Sequence, residues 1–117
     1  MSKVQTSISY FITCNPSDSC LTAVLEQLQQ DIARMQYVNQ CFFYSDAVAI
    51  AATHPYSTIA KQLLDLSASQ QIPLYICSAA FQKRGLSLSP LGKEDFTFKG
   101  LGQFMMESKT ANRIRQF

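Results

Sequence analysis

The chain is poor in several residue types: among 117 residues it has no tryptophan, one histidine, four glycines and four prolines. Charged residues make up only 15%, against a usual share of about 25%. No basic run is longer than Lys83–Arg84, so we expect no direct binding of nucleic acid. No apolar run approaches the roughly 20 residues that cross a bilayer, and residues 1–14 lack the apolar core of a secretory signal. These absences predict a cytoplasmic protein that does not bind a membrane.

Short motifs of several common sites are also missing. No glycine-rich GxGxxG or GxxxxGK[ST] pattern follows the first apolar run, which argues against a nucleotide or flavin site. The four cysteines, Cys14, Cys20, Cys41 and Cys77, form no CxxC pair, and the histidine is His54, so neither a metal site nor another cofactor is predicted. Because a cytoplasmic chain with a good core does not need disulfides, we expect all four cysteines to be free thiols.

Apolar residues, in contrast, are plentiful, at 47% of the chain. A chain of this length and composition buries roughly two-thirds of its unfolded surface and has ample material for a core. We expect one compact domain over residues 1–117. The low charge further suggests that other subunits cover part of its surface.

The apolar pattern changes repeatedly between the period of a strand and the period of a helix. Strands are predicted at 7–13, 37–44, 72–77 and 112–117, with a short strand or turn at 96–100. Helices are predicted at 19–35, 57–69, 78–84 and 100–110, with a helical or irregular piece at 45–55 and a polar loop at 87–95. Strands that alternate with helices predict a flavodoxin-like, doubly wound α/β fold, whose mostly parallel sheet of about five strands carries helices on both faces.

Cys77 ends the third strand where a short helix begins. In an open α/β sheet, reactive groups collect at the carboxyl ends of the strands, and the backbone N–H groups at Ser78 and Ala79 would stabilise a thiolate there. Ser78 is also a natural N-cap. Lys83 and Arg84 belong to the far end of this helix, so we expect little direct effect on the thiol but leave open a role in docking an acidic partner. The alternative is that Cys77 is a buried, inert cysteine.

Other candidate residues are weaker. Cys14 also ends a strand, although a turn separates it from the next helix, and it is a possible pocket residue or resolving thiol. Asp46 follows the second strand at the same sheet edge, where it either shapes a pocket or caps the loop. His54 is an acid or base, or a solvated loop residue. Cys20 and Cys41 are interpreted as packing residues, the latter in the core.

Three segments resemble the DsrE/TusD-like sulfur-carrier family. YICSAAFQKRGL is similar to the family's cysteine segment, in which an apolar strand leads to a cysteine, small residues and Arg-Gly. CFFYSDAVAIA is similar to its second strand and the following turn, and GLGQFMMESKTANRIRQF to its carboxyl-terminal segment. The TusD-type subunits, which relay sulfur for 2-thiouridine in tRNA, resemble this chain most.

The resemblance implies a sulfurtransferase that accepts sulfane sulfur as a persulfide on Cys77 from an upstream donor protein and passes it to a downstream carrier cysteine. It also implies related subunits in a hetero-oligomer, arranged as a dimer of heterotrimers. Two alternatives within the family are a structural subunit with a silent Cys77 and a protein of sulfur oxidation. Outside it, the sheet would bind a flavin or nucleotide.

Overall fold

The computed structural model describes residues 7–52, 56–89, 92–109 and 113–117. Five strands are present in this part of the chain: β1 (Ser7–Ile12), β2 (Tyr37–Phe43), β3 (Leu74–Cys77), β4 (Thr97–Lys99) and β5 (Arg113–Gln116). The helices are α1 (Asp18–Ala33), α2 (Thr58–Ser69), α3 (Ser78–Lys83), α4 (Gly92–Asp95) and α5 (Leu101–Ser108), with a 3-10 helix at Ser45–Ala52. The predicted strands and long helices are confirmed, with small shifts at their ends.

The strands form a parallel sheet with the order β4-β3-β2-β1-β5. Each of the first three connections carries the chain one strand further in the same direction, and the last one returns it across the sheet to the far side of β1. Because parallel neighbours require a crossover between them, helices lie over the sheet faces. The predicted flavodoxin-like α/β architecture is therefore confirmed.

The helices cover both faces of the sheet. On one face, the Tyr10 hydroxyl of β1 donates a hydrogen bond to the Asp31 carboxylate of α1. On the other face, the ring of Phe104 in α5 stacks on Phe11 and Phe42, with centroid distances of 5.3 and 4.5 Å. Since adjacent residues of a strand point to opposite faces, Tyr10 and Phe11 place α1 and α5 on opposite sides. This is the doubly wound arrangement that the sequence predicts.

Helix α3 lies on the α1 side of the sheet. The rings of Phe81 in α3 and Phe98 in β4 meet edge to face, with their centroids 5.3 Å apart. Phe98 is in register with Ile76 of β3. Ile76 is in register with Phe43, which points away from the face that Phe42 shares with α5. The chain therefore leaves β3 on one face and leaves the neighbouring β4 on the other, which makes a topological switch point between their carboxyl ends.

One loop prediction is wrong. Residues 92–95, predicted as part of a polar loop, form the short helix α4. Glu94 and Asp95 lie in its first turn, where carboxylates interact favourably with a helix N-terminus. The stop predicted after α3 is confirmed, because Gly85 adopts a φ of 64°, a conformation that favours glycine, and its N–H bonds the Gln82 carbonyl at 2.9 Å.

Candidate functional site at the carboxyl edge of the sheet

Cys77 lies at the junction between β3 and α3, as predicted. It is the last residue of the strand and the N-cap residue of the helix, in register with Lys99 of β4 across the switch point. Its thiol is free, and the residue is only 1% exposed. The predicted N-cap, Ser78, is instead the first helical residue, and the Cys77 side chain makes no capping hydrogen bond. The cap shifts by one residue because Cys77 itself keeps an extended backbone.

A cavity of about 360 Å³ opens beside Cys77. Its volume is within the range of small-ligand pockets. Strand ends, the 3-10 helix, α3 and the start of α5 all contribute to its wall, through Tyr44, Ser45, Cys77, Ala79, Ala80, Lys83, Arg84 and Leu101. The cavity therefore brings together a thiol, two small side chains and two cations at the carboxyl edge of the sheet.

Arg84 is held in this wall by a network of hydrogen bonds. Its guanidinium donates to the Asp46 carboxylate at 3.1 and 3.4 Å, to the Ser45 hydroxyl at 3.4 Å and to the Ala80 carbonyl at 3.1 Å. Asp46, predicted as a possible pocket residue, does not line the cavity. Its carboxylate instead holds the side chain of Arg84, which does line the cavity.

Lys83 and Arg84, the two cations of α3, both line the Cys77 cavity. Their place at the far end of the helix predicted little direct effect on the thiol and left open a role in docking a partner. Ala79 and Ala80 precede them by four residues, so the four side chains share one helix face. That i, i+4 spacing was the signal available in the sequence.

Cys14 is not part of this cavity, and the expectation that it is a free thiol is wrong. A disulfide joins it to Cys20, with the Cα atoms 6.2 Å apart. The separation is within the usual range for a disulfide. It arises because the chain turns at 15–17 and enters α1 at once, with the Ser17 hydroxyl accepting a hydrogen bond from the Cys20 N–H at 3.3 Å.

Cys41 is the second free cysteine and has a different environment. It is fully buried in β2, and burial raises the pKa of its thiol to about 12. Loss of hydration penalises the thiolate, the nucleophilic form of cysteine. Cys41 is therefore a core residue, as the sequence indicated.

The described residues also bear on two other classes of site. Within the described ranges there is no group of three or more histidine, cysteine, aspartate or glutamate side chains placed to hold a metal ion. None of the helices in that same part of the chain is long and apolar enough to cross a membrane. His54, the candidate acid or base, lies outside the described residues.

The fold and cavity together define a class: a doubly wound α/β protein with a free cysteine at the switch point of its sheet. No profile of a known protein family matches the chain. It is, however, 30% identical over 96 residues to the sulfurtransferase TusD homolog of Haemophilus influenzae, with 71% of this chain and 76% of that protein covered. The chain therefore belongs to the DsrE/TusD-like family.

Solved structures show the same fold. The E. coli ychN protein matches 97% of this chain and 100% of its own, with a TM-score of 0.69 and 18% identity. MTH1491 of Methanobacterium thermoautotrophicum, a protein of unknown function, covers the same shares with a TM-score of 0.73 and 14% identity. At these identities the likeness extends to the fold alone.

Proposed function

We propose that this protein is a sulfurtransferase that carries sulfane sulfur as a persulfide on Cys77. The observation that carries the proposal is the cavity: of the four cysteines, Cys77 alone lines it as a free thiol. Cys14 and Cys20 are joined to each other, and Cys41 is enclosed in the core. A relative named as a sulfurtransferase supports the same chemistry.

The transfer requires no metal and no external oxidant. The Cys77 thiolate attacks the outer sulfur of a donor persulfide, a new S–S bond forms on Cys77, and the donor's inner sulfur leaves as a thiolate. In the second half-reaction, an acceptor thiolate attacks the outer sulfur on Cys77, takes it as a new persulfide, and Cys77 leaves as a thiolate. Both steps follow thiol–disulfide exchange, in which the attacking thiolate and the leaving thiolate set the rate.

The residues around Cys77 suit this role. Ala79 and Ala80 present small side chains to the cavity, which leaves room for an additional sulfur atom. Lys83 and Arg84 add two cationic side chains to the wall of the cavity. The low exposure of Cys77 limits contact between a bound persulfide and thiols in bulk solvent.

The finer role that we propose is a place in the relay for 2-thiouridine formation in tRNA. An upstream persulfide protein would donate sulfur, a downstream carrier cysteine would accept it, and related subunits would assemble with this chain into a dimer of heterotrimers in the cytoplasm. Sulfur trafficking in oxidation is the alternative pathway, with the same chemistry at Cys77. The alternative of a structural subunit differs, because its Cys77 would carry no sulfur.

The test is to treat the protein with a persulfidated donor and locate the added sulfur by mass spectrometry of the intact chain and its peptides. The wild-type protein should gain the mass of one sulfur atom on Cys77. Cys77→Ser should gain none and remain folded, since the hydroxyl has a similar shape and has no histidine near it in the sequence to activate it as a nucleophile. Cys41→Ser, the matched control, should still gain sulfur.

The two variants should also differ in stability. Cys41→Ser places a hydroxyl in the closed core and should lower the free energy of unfolding by about 1–3 kcal/mol, whereas Cys77→Ser should change it by no more than about 1 kcal/mol. Sulfur on a folded Cys77→Ser protein would refute the proposal. Absence of sulfur on wild-type Cys77 with competent donors would favour the structural-subunit alternative.

A further inference from the structure

Ser45 has an unusual backbone conformation in the wall of the Cys77 cavity. Its φ is 56°, in the left-handed region that few residues other than glycine adopt. Strained positions of this kind persist only where the surrounding structure holds them, and they are concentrated at functional sites. Ser45 begins the 3-10 helix after β2, so the strained turn fixes the direction in which the chain leaves the sheet.

The register of the sheet places Ser45 close to Cys77. Phe43 of β2 is in register with Ile76 of β3. Continuing this register by one residue places Tyr44 beside Cys77, at the strand spacing of about 4.8 Å. Ser45 is the next residue along the chain, and its side chain and that of Cys77 line the same cavity.

The hydroxyl of Ser45 has a proton that it can still donate. The Arg84 guanidinium donates to the Ser45 oxygen at 3.4 Å, and Asp46 holds that guanidinium at 3.1 Å. A serine hydroxyl has one donor and two acceptor sites, so accepting this bond leaves its proton free to be donated. Within the part of the chain that the structure describes, the Ser45 hydroxyl donates to no other group. An oriented and unused donor is therefore available in the cavity.

Resting on the sulfur relay proposed above, we infer that Ser45 binds the transferred sulfur, because its hydroxyl donates a hydrogen bond to the outer sulfur of the Cys77 persulfide. That sulfur lies about 2 Å beyond the sulfur of the cysteine itself, the length of an S–S bond. A hydrogen bond to the anionic outer sulfur stabilises the loaded form relative to the free thiol. The hydroxyl keeps its proton, so both half-reactions keep the balance given above.

The experiment measures the equilibrium of sulfur exchange between Cys77 and glutathione persulfide. In this exchange the Cys77 thiolate attacks the outer sulfur of the persulfide, and glutathione leaves as its thiolate. Mixtures with known ratios of glutathione persulfide to glutathione are quenched by alkylation, and mass spectrometry of the Cys77 peptide gives the loaded fraction. The wild type is compared with Ser45→Ala, Ser45→Gly and the control Ser69→Ala, an exposed serine at the end of α2.

The two Ser45 variants separate the hydroxyl from the strained turn. Both remove the donor, but only glycine adopts a positive φ without cost. We expect both to lower the exchange constant about ten-fold, the effect of losing one hydrogen bond to a charged group, and Ser69→Ala to leave it unchanged. Ser45→Gly should nevertheless resist urea better than Ser45→Ala, so the loss of sulfur binding should not follow stability.

An unchanged exchange constant in Ser45→Ala would overturn the inference and leave the relay intact. A loss in Ser45→Ala that Ser45→Gly does not share would also overturn it, because the strained turn and not the hydroxyl would then be responsible. If wild-type Cys77 takes up no sulfur in these mixtures, the inference fails, and the persulfidated donor protein used above decides separately whether the relay fails with it.

Discussion

Cys41 and Cys77 show how the same residue type acquires different chemistry from its surroundings. Both are buried and free, and they lie on neighbouring strands of one sheet. Cys41 is in the middle of its strand, within the buried core. Cys77 is at the end of its strand, where it lines a cavity. Position along the strand therefore separates a core residue from a candidate nucleophile.

At this scale we predict a strict order of thiol reactivity. Limiting iodoacetamide should label Cys77 first in the native protein, because the cavity admits a small reagent, whereas Cys41 should react only after unfolding. Cys14 and Cys20 should react only after reduction, since they are joined. Peptide mapping across a pH series provides the measurement. Labelling of Cys14 or Cys20 without a reductant would contradict the disulfide, and native labelling of Cys41 before Cys77 would contradict the assigned environments.

The helices are fixed to the sheet by a small number of polar contacts in addition to apolar packing. Asp31 of α1 accepts a hydrogen bond from Tyr10 and two from the Arg115 guanidinium of β5, both at 2.8 Å. Burial alone would raise the pKa of Asp31, but the hydrogen bonds from Arg115, Tyr10 and Gln27 outweigh it and lower the pKa. The lowered pKa means that the ionised carboxylate stabilises the fold and fixes edge strand β5 to the rest of the molecule.

We predict that Asp31→Asn lowers the free energy of unfolding at pH 7 by about 3 kcal/mol, the cost of breaking a buried ion pair. Because the folded pKa is lowered, the stabilisation is present above the unfolded value of about 3.9 and is lost as the pH falls through the folded pKa. The wild type should therefore lose stability in acid more steeply than Asp31→Asn.

Urea unfolding from pH 7 down to pH 2 measures both effects. Asp65→Asn, an exposed position on α2, is the matched control and should stay within about 0.5 kcal/mol of the wild type. Parallel pH profiles for the wild type and Asp31→Asn would show that Asp31 does not contribute in this way.

For the whole molecule, several large apolar side chains lie on the surface. Six large apolar side chains are exposed in the described part of the chain: Met35, Tyr37, Phe98, Met105, Met106 and Ile114. Two of them are adjacent on α5, and Met106 is 71% exposed. With charged residues at only 15%, such a surface is expected to contact other subunits.

We predict that the 13.1 kDa chain does not remain a monomer when it is produced together with related subunits of its family. Light scattering after size-exclusion chromatography should give a mass several times that of one chain. Met106→Lys should weaken the assembly, because it places a charge in the apolar surface of α5. Gln62→Lys, which adds the same charge to an exposed position of α2, should not. A chain that remains a monomer in the presence of these subunits would contradict the hetero-oligomer.

Much of the architecture was determined by the sequence alone, because it depends on patterns that repeat within a few residues. The alternation of apolar residues along 7–13 and their helical spacing along 19–35 report which face of each element is buried. The change of period at Cys77, together with Gly85 after the next helix, placed the candidate nucleophile at a strand–helix junction. These predictions required only the spacing of residues within a few positions along the chain.

Tertiary structure decided what depends on residues that are far apart in the chain or brought together by a turn. The Arg84–Asp46 pair spans 38 positions and exists because two neighbouring strands end at the same edge. The Cys14–Cys20 disulfide depends on a chain reversal that no cysteine spacing specifies. Lys83 lines the Cys77 cavity because α3 packs on its face of the sheet. Local periodicity carries burial information, whereas the meeting of distant side chains depends on how the elements pack.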